Sequence, residues 1–88
     1  MVEITAIHMV GSGGHDRISE LKWRNPGTGQ TGATSRAGMV AFVRENPSGA
    51  YVEGPQRAYL RVREASPPFV QTYADNTWTN NLLSLSRY

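Results

Sequence analysis

The chain has 88 residues, with nine Lys and Arg against seven Asp and Glu, so we expect a single small domain covering residues 1–88. Hydrophobic residues make up 39% of the chain and charged residues 18%, which excludes a disordered tail. The absence of cysteine excludes disulfides and thiolate metal sites. The net charge of +2 is compatible with nucleic-acid contact but does not require it.

The N-terminal segment carries Glu3 within an alternating pattern, unlike the basic and then apolar pattern of a signal peptide. No apolar run in the sequence is long enough to cross a bilayer. We therefore expect a cytoplasmic protein that has no membrane partner.

The first part of the chain predicts two strands joined by a glycine-rich loop. Apolar residues alternate in residues 2–10, and residues 15–25 show a second strand pattern. The loop between them, residues 11–14, has the sequence GSGG. A phosphate-binding glycine loop normally opens a helix, whose N-terminal amides face the anion. Because a strand follows here, the loop is interpreted as a hairpin connection.

The second strand contains a change of phase. Ile18 is out of step with Leu21 and Trp23, and a strict period of two cannot place all three side chains on one face. We therefore expect a β-bulge, or burial on both faces, near Ser19 and Glu20.

A polar stretch and then a helix follow. Residues 25–35 are rich in glycine and threonine, which predicts a tight turn and a long loop. Only residues 35–45 repeat apolar side chains at helical spacing, namely Met39, Val40, Phe42 and Val43. Thr34 or Ser35 is expected to cap the helix, and Pro47 to end it near Glu45.

Three more strands are predicted after the helix, at residues 50–53, 57–64 and 69–73. The middle strand alternates cleanly, and its apolar side is expected to lie under the helix. Residues 74–88 predict a short helical turn or an extended tail that closes one side of the core, with Trp78 nearby. Together these elements predict an α+β fold in which one amphipathic helix packs on a mainly antiparallel sheet of about five strands, in the order ββαβββ.

The polar side of the predicted strand 57–64 carries the strongest functional signal. Arg57, Tyr59, Arg61 and Arg63 alternate with apolar residues and share one face. Arginines that contact phosphates beside a ring that stacks on a base are typical of sheet-based binders of single-stranded nucleic acid. The alternative is a solvated strand whose arginine stems cover the sheet and discourage edge pairing.

A second polar cluster lies near the C-terminus. It comprises Asp75, Asn76, Thr77, Thr79, Asn80 and Asn81. Oxygen side chains suit calcium or magnesium, but one carboxylate supplies too little charge for a tight site. Asx turns and capping explain these residues more simply, so we expect no metal and no cofactor.

His8 and His15 flank the glycine loop, but two imidazoles without a third ligand do not form a zinc site. Ser12, His15 and Asp16 carry the side-chain types of a hydrolytic triad. Three neighbours in a flexible loop supply neither an oriented base nor a rigid oxyanion hole. An enzyme is therefore not expected.

Three segments of the chain resemble domain of unknown function family 3892, a family of short bacterial proteins. They are HDRISELKWRNPGTGQTG, SRAGMVAFVRENPSGAYV and PPFVQTYADNTWTNNLLSLSRY. The family shares a glycine loop before an I-x-x-(V or L)-x-W strand, a Thr/Ser-Arg helix start and an ending close to YLRTYADGxWTDNLLxLP. This chain departs from it at Gly38, Asn76, Asn80 and Ser86, where an acidic residue, Gly, Asp and Pro are more typical. The resemblance implies no activity, because the family is defined without one.

We interpret the protein as a non-enzymatic interaction or self-association module. Its aromatic residues are numerous for so small a core, and some are expected to mark a homodimer or partner surface. These residues are Trp23, Tyr51, Phe69, Tyr73, Trp78 and Tyr88. The alternative function is weak binding of single-stranded nucleic acid through Arg57, Tyr59, Arg61 and Arg63.

Overall fold

A computed structural model describes residues 1–88 and shows one helix packed against an eight-stranded sheet. The strands are β1 (Val2–Met9), β2 (Ile18–Arg24), β3 (Thr31–Ser35), β4 (Ala50–Val52), β5 (Ala58–Arg63), β6 (Phe69–Ala74), β7 (Thr77–Thr79) and β8 (Ser86–Arg87), and helix α1 (Arg36–Glu45) lies between β3 and β4. Their order across the sheet is β3-β2-β1-β4-β5-β6-β7, with β8 also beside β1. All pairs are antiparallel except β1 with β4 and β1 with β8.

The predicted α+β class, with one helix on a mainly antiparallel sheet, is confirmed. The prediction of about five strands in the order ββαβββ is not, because the chain forms eight strands in the order βββαβββββ. The three additional strands are β3, β7 and β8, which are five, three and two residues long. Strands β7 and β8 are too short to show an alternating pattern, and β3 has almost no apolar side chains.

Strand β3 lies in a segment that was predicted to be a loop. The predicted turn before it is present, since the Gly29 N–H donates a hydrogen bond of 2.7 Å to the Asn25 carbonyl. Beyond that turn, residues 31–35 pair with β2 in an antiparallel register. Gly32 lies opposite Trp23, whose indole ring occupies the space that a Cβ at residue 32 would need. The ring of Trp23 thus covers a strand that has almost no apolar side chains of its own.

The start of β2 also differs from the prediction. Residues 15–17 form one turn of 3-10 helix rather than strand, and the Arg17 N–H donates to the Gly14 carbonyl. The predicted bulge is confirmed, because His8 pairs with Glu20 while Met9 pairs with Ile18, which leaves Ser19 without a partner. A further register shift lies in β1 at residue 5.

Helix α1 begins and ends where the sequence predicts. Ser35 caps it, with its Oγ accepting a hydrogen bond of 3.1 Å from the Gly38 N–H. Asn46 follows the last turn and precedes Pro47, which disfavours helical geometry at the residue before it. The buried residues of the helix are Met39, Val40 and Val43, with Phe42 partly buried.

The core lies between α1 and the sheet and is closed at one side by the C-terminal segment. Leu82, in a 3-10 turn after β7, is 0% exposed, so the predicted helical turn that closes the core is confirmed. The core residues are Ile4, Ile7, Ile18, Leu21, Met39, Val40, Val43, Ala50, Val52, Leu60, Val70 and Leu82. Ala58 and Leu60 of β5 are buried beneath α1, as predicted. None of the helical segments combines the length and the apolar character needed to cross a membrane.

Candidate interaction surface

The four residues singled out in the sequence lie on or beside the face of β5 that is turned away from α1. Tyr59, Arg61 and Arg63 belong to β5, and Arg57 directly precedes the strand. The alternate residues Ala58 and Leu60 are buried in the core. Arg57 and Arg61 are exposed, while Tyr59 and Arg63 are partly buried.

Neighbouring strands add aromatic side chains to the same face. Residues opposite each other in an antiparallel pair share a face, and Tyr59 lies between Tyr51 of β4 and Tyr73 of β6. Tyr73 in turn lies opposite Trp78 of β7. We call this surface the arginine–aromatic face; it comprises Tyr51, Arg57, Tyr59, Arg61, Arg63, Phe69, Gln71, Tyr73 and Trp78.

Each arginine of this face lies over an aromatic ring. The guanidinium carbon of Arg57 is 4.1 Å from the ring centroid of Tyr51, and that of Arg61 is 4.1 Å from the centroid of Tyr73. Arg63 lies over Trp78 at 4.4 Å. Cation–π contacts at such distances hold the guanidinium groups in place.

The rings also contact one another across the strands. Tyr73 and Trp78 meet edge to face, with centroids 5.1 Å apart, and Tyr51 and Tyr59 are 6.0 Å apart. Such aromatic pairs stabilise a sheet beyond the area that they bury. The arginine–aromatic face is therefore a fixed layer of rings that carries a layer of guanidinium groups.

The charge of this face is concentrated on two of its three arginines. Arg57 forms an ion pair of 2.7 Å with Glu53, and this hydrogen bond lowers the pKa of the carboxyl and raises that of the guanidinium. The protein's other ion pair joins Arg44 to Glu64. Arg61 and Arg63 thus have no carboxylate partner, although Arg63 donates a hydrogen bond of 3.1 Å to Gln71 Oε1.

A cleft of about 420 Å³ opens beside this face, between β5 and the end of α1. Tyr59 and Tyr73 from the sheet and Val43 and Pro47 from the end of α1 and the turn after it all line this cleft. The lining residues are Val43, Arg44, Pro47, Ser48, Tyr59, Leu60, Arg61, Val62 and Tyr73. The cleft combines apolar walls with two arginines and contains no carboxylate, imidazole or thiol.

Sequence reasoning identified the residues of β5 but did not assign the rings beneath them. Trp78 was expected near the core; it lies instead on the arginine–aromatic face and is 36% exposed. The feature that indicates the position of Trp78 is the turn between β6 and β7. Asp75 and Asn76 both have positive φ, 53° and 61°, which is typical of a two-residue type I′ hairpin. Such a hairpin sets Tyr73 opposite Trp78.

The polar cluster of residues 75–81 performs structural roles. Besides forming the turn, Asp75 accepts hydrogen bonds from Gln56 Nε2 at 3.1 and 3.2 Å. Thr79 Oγ1 donates to Thr72 Oγ1 at 2.7 Å, and Thr72 is fully buried. These contacts agree with the interpretation of the cluster as turn and hydrogen-bonding residues.

The two histidines have separate surroundings. His8 is exposed and packs against Tyr88, with ring centroids 5.4 Å apart. His15 is 8% exposed, and its Nε2 has no hydrogen-bond partner. Burial, and then the nearby charge of Arg63, lower the pKa of His15. No hydrogen bond links His15 to Ser12 or Asp16, so the residues of the rejected triad are not assembled.

The fold and this surface define a class: a small, single-helix α+β domain with a cationic and aromatic sheet face. The chain belongs to the family described as "Protein of unknown function (DUF3892)", whose model matches residues 3–86. The resemblance seen in the sequence is therefore confirmed. Among curated proteins and among solved structures, none matches the chain significantly.

Proposed function

We propose that this protein is a non-enzymatic interaction module that binds an anionic partner through the arginine–aromatic face. The observation that carries the proposal is the pair Arg61 and Arg63, each held over a ring and neither neutralised by a carboxylate. Tyr, Trp and Arg are the residue types that contribute most to binding energy at protein interfaces. Because Tyr73 and Trp78 already hold the guanidinium groups, binding costs less side-chain entropy.

The distribution of charge favours a different molecule over a second copy of this chain. In a two-fold contact the same patch meets itself, so Arg61 and Arg63 would face the arginines of the other copy. Like charges in one interface cost several kcal/mol. A partner with phosphate or carboxylate groups instead gains charge-assisted hydrogen bonds from the same side chains.

The chemistry of the cleft favours binding over catalysis. General acid–base and nucleophilic catalysis require a titratable base or an activated nucleophile within hydrogen-bond reach of the substrate. The polar groups that line the cleft are the guanidinium groups of Arg44 and Arg61 and the side chains of Ser48, Tyr59 and Tyr73. These groups can hold an anion or a flat apolar group.

Nuclear magnetic resonance of backbone amides in isotope-labelled protein tests the proposal with two anionic probes, poly-L-glutamate and a short mixed-sequence single-stranded oligonucleotide. We expect at least one probe to shift the amides of β5, β6 and β7. The double variant Arg61→Gln with Arg63→Gln should abolish these shifts.

The matched control is Arg17→Gln with Arg24→Gln, which removes two exposed arginines whose side chains form no hydrogen bond or ion pair and which lie outside β5. Its net charge equals that of the test variant, so a difference between the two reports position and not overall charge. The proposal is wrong if neither probe shifts the arginine–aromatic face, or if both double variants weaken binding equally.

A further inference from the structure

We infer that the anionic partner is a single-stranded nucleic acid, whose phosphates contact Arg61 and Arg63 and whose bases stack on the arginine–aromatic face. This inference rests on the proposed function and names the partner class. It joins three features of one surface: flat stacking groups, unpaired cations and a cleft beside them.

The stacking groups are the rings and guanidinium planes of β5, β6 and β7. Bases of single strands stack both on aromatic rings and on arginine planes. Tyr73 and Trp78 meet edge to face, so their ring planes differ, and each carries a guanidinium group. Bases would therefore stack on the guanidinium planes that cover these rings, or on the ring faces that the guanidinium groups leave free.

The cations have the placement that a phosphate backbone requires. Arg61 and Arg63 are two residues apart on one face of β5, a separation of about 6.6 Å along the strand, which is comparable to that of neighbouring phosphates in an extended chain. Arg61 is exposed and makes no side-chain hydrogen bond within the protein. The carboxylates of Glu53 and Glu64 lie beyond the two ends of the strand, where they limit the length of the cationic surface.

The cleft could hold a base that is turned away from the stacked ones. Its volume of about 420 Å³ and its largely apolar lining, which includes Tyr59 and Tyr73, suit one planar ring. Arg61 lies among its lining residues and would contact the adjoining phosphate, whereas Arg44 is paired with Glu64. A run of acidic side chains would use the arginines but offers no aromatic rings to stack on them, and this difference favours nucleic acid.

The phosphate contacts are tested by measuring binding affinity at several salt concentrations. The three probes are single-stranded DNA and single-stranded RNA of the same mixed sequence, and the corresponding DNA duplex. For two phosphates contacted by a single strand, affinity should fall about sevenfold between about 50 and 200 mM salt. The variant Arg61→Gln with Arg63→Gln should lose most of this dependence. The Arg17→Gln with Arg24→Gln control should keep it, and the duplex should bind more weakly.

Stacking is tested by Tyr73→Leu, with Tyr88→Leu as the control. Tyr88 is an exposed ring that also carries a cation, since Lys22 Nζ lies 4.3 Å from its centroid, but it is outside the arginine–aromatic face. We expect Tyr73→Leu to weaken oligonucleotide binding about fivefold or more, and Tyr88→Leu to change it less than twofold. Thermal unfolding of each variant separates lost binding from lost folding.

Each other result overturns the inference in a distinguishable way. Poly-L-glutamate that binds this face when oligonucleotides do not would refute nucleic acid and leave the proposed function standing, with an acidic protein as the partner. If the duplex binds as tightly as the single strands, or if Tyr73→Leu leaves oligonucleotide binding unchanged, stacking is refuted. No binding by any probe would refute both the inference and the proposed function.

Discussion

Gly32 in the edge strand β3 permits the indole ring of Trp23 to lie flat across the sheet. A Cβ built at residue 32 would lie 2.6 Å from Cζ2 and 2.9 Å from Cε2 of Trp23. Trp23 Nε1 also donates a hydrogen bond of 3.0 Å to Thr34 Oγ1 in the same strand. The substitution Gly32→Ala therefore forces either the ring or the strand to move, and both movements break that hydrogen bond.

The expected cost follows from three contributions. Overpacking a methyl group costs about 1–3 kcal/mol, and the lost hydrogen bond costs about 1 kcal/mol. Replacing glycine restricts the unfolded chain and returns about 0.4–1 kcal/mol. We expect Gly32→Ala to lower the free energy of unfolding by about 2 kcal/mol, which lowers the Tm of a domain of this size by about 8–16 °C.

Thermal unfolding followed by tryptophan emission measures this effect, because displacement of Trp23 also shifts its emission to the red. The control is Gly54→Ala, where the nearest atom to a new Cβ is 3.9 Å away and stability should be unchanged or slightly raised. A Gly32→Ala protein with the wild-type Tm and emission would refute the steric role assigned to this glycine.

Three further predictions concern the core, a buried histidine and a turn. Leu82→Ala should lower the free energy of unfolding by about 3 kcal/mol in urea titrations, because the side chain is 0% exposed; an effect no larger than that of Leu85→Ala, at a partly buried site, would contradict its core role. Burial lowers the pKa of His15 from 6.5, so the unfolded chain binds the proton more readily, and stability should be full above about pH 6.5 and fall at lower pH. Urea midpoints between about pH 7.5 and pH 5.5 should drop more for the wild type than for His15→Gln, and equal drops would exclude His15 as the cause. Asn76→Gly should raise the free energy of unfolding by about 0.5 kcal/mol, because Asn76 has a φ of 61° and Asp-Gly suits a type I′ turn; a lower Tm would argue against this turn geometry.

The helix and the clean strand were predictable because their patterns are local. Ser35, the apolar spacing through Val43 and Pro47 together specify α1 within one short segment. The alternation of residues 57–64 specifies both faces of β5, which the structure confirms. The bulge at Ser19 could also be predicted, because one residue out of phase moves every later side chain to the other face of the sheet.

The missed strands depend on partners that are distant in the sequence. Residues 31–35 become β3 because β2 supplies both the ladder and the ring of Trp23. Residues 86–87 become β8 because the second half of β1 has a free side, β4 pairing only with residues 2 and 3. Neither pairing leaves a periodic signal in such short segments.

The sequence by itself determined one helix, the alternating arginines of β5 and the family to which the chain belongs. The tertiary structure decided which rings lie beneath Arg61 and Arg63, because Tyr73 and Trp78 come from two other strands. It also left these two arginines without carboxylate partners while Arg44 and Arg57 acquired them. The physical reason is that helical and strand periodicity act between near neighbours in the chain, whereas the contents of a sheet face depend on strand order and register, which only long-range packing fixes.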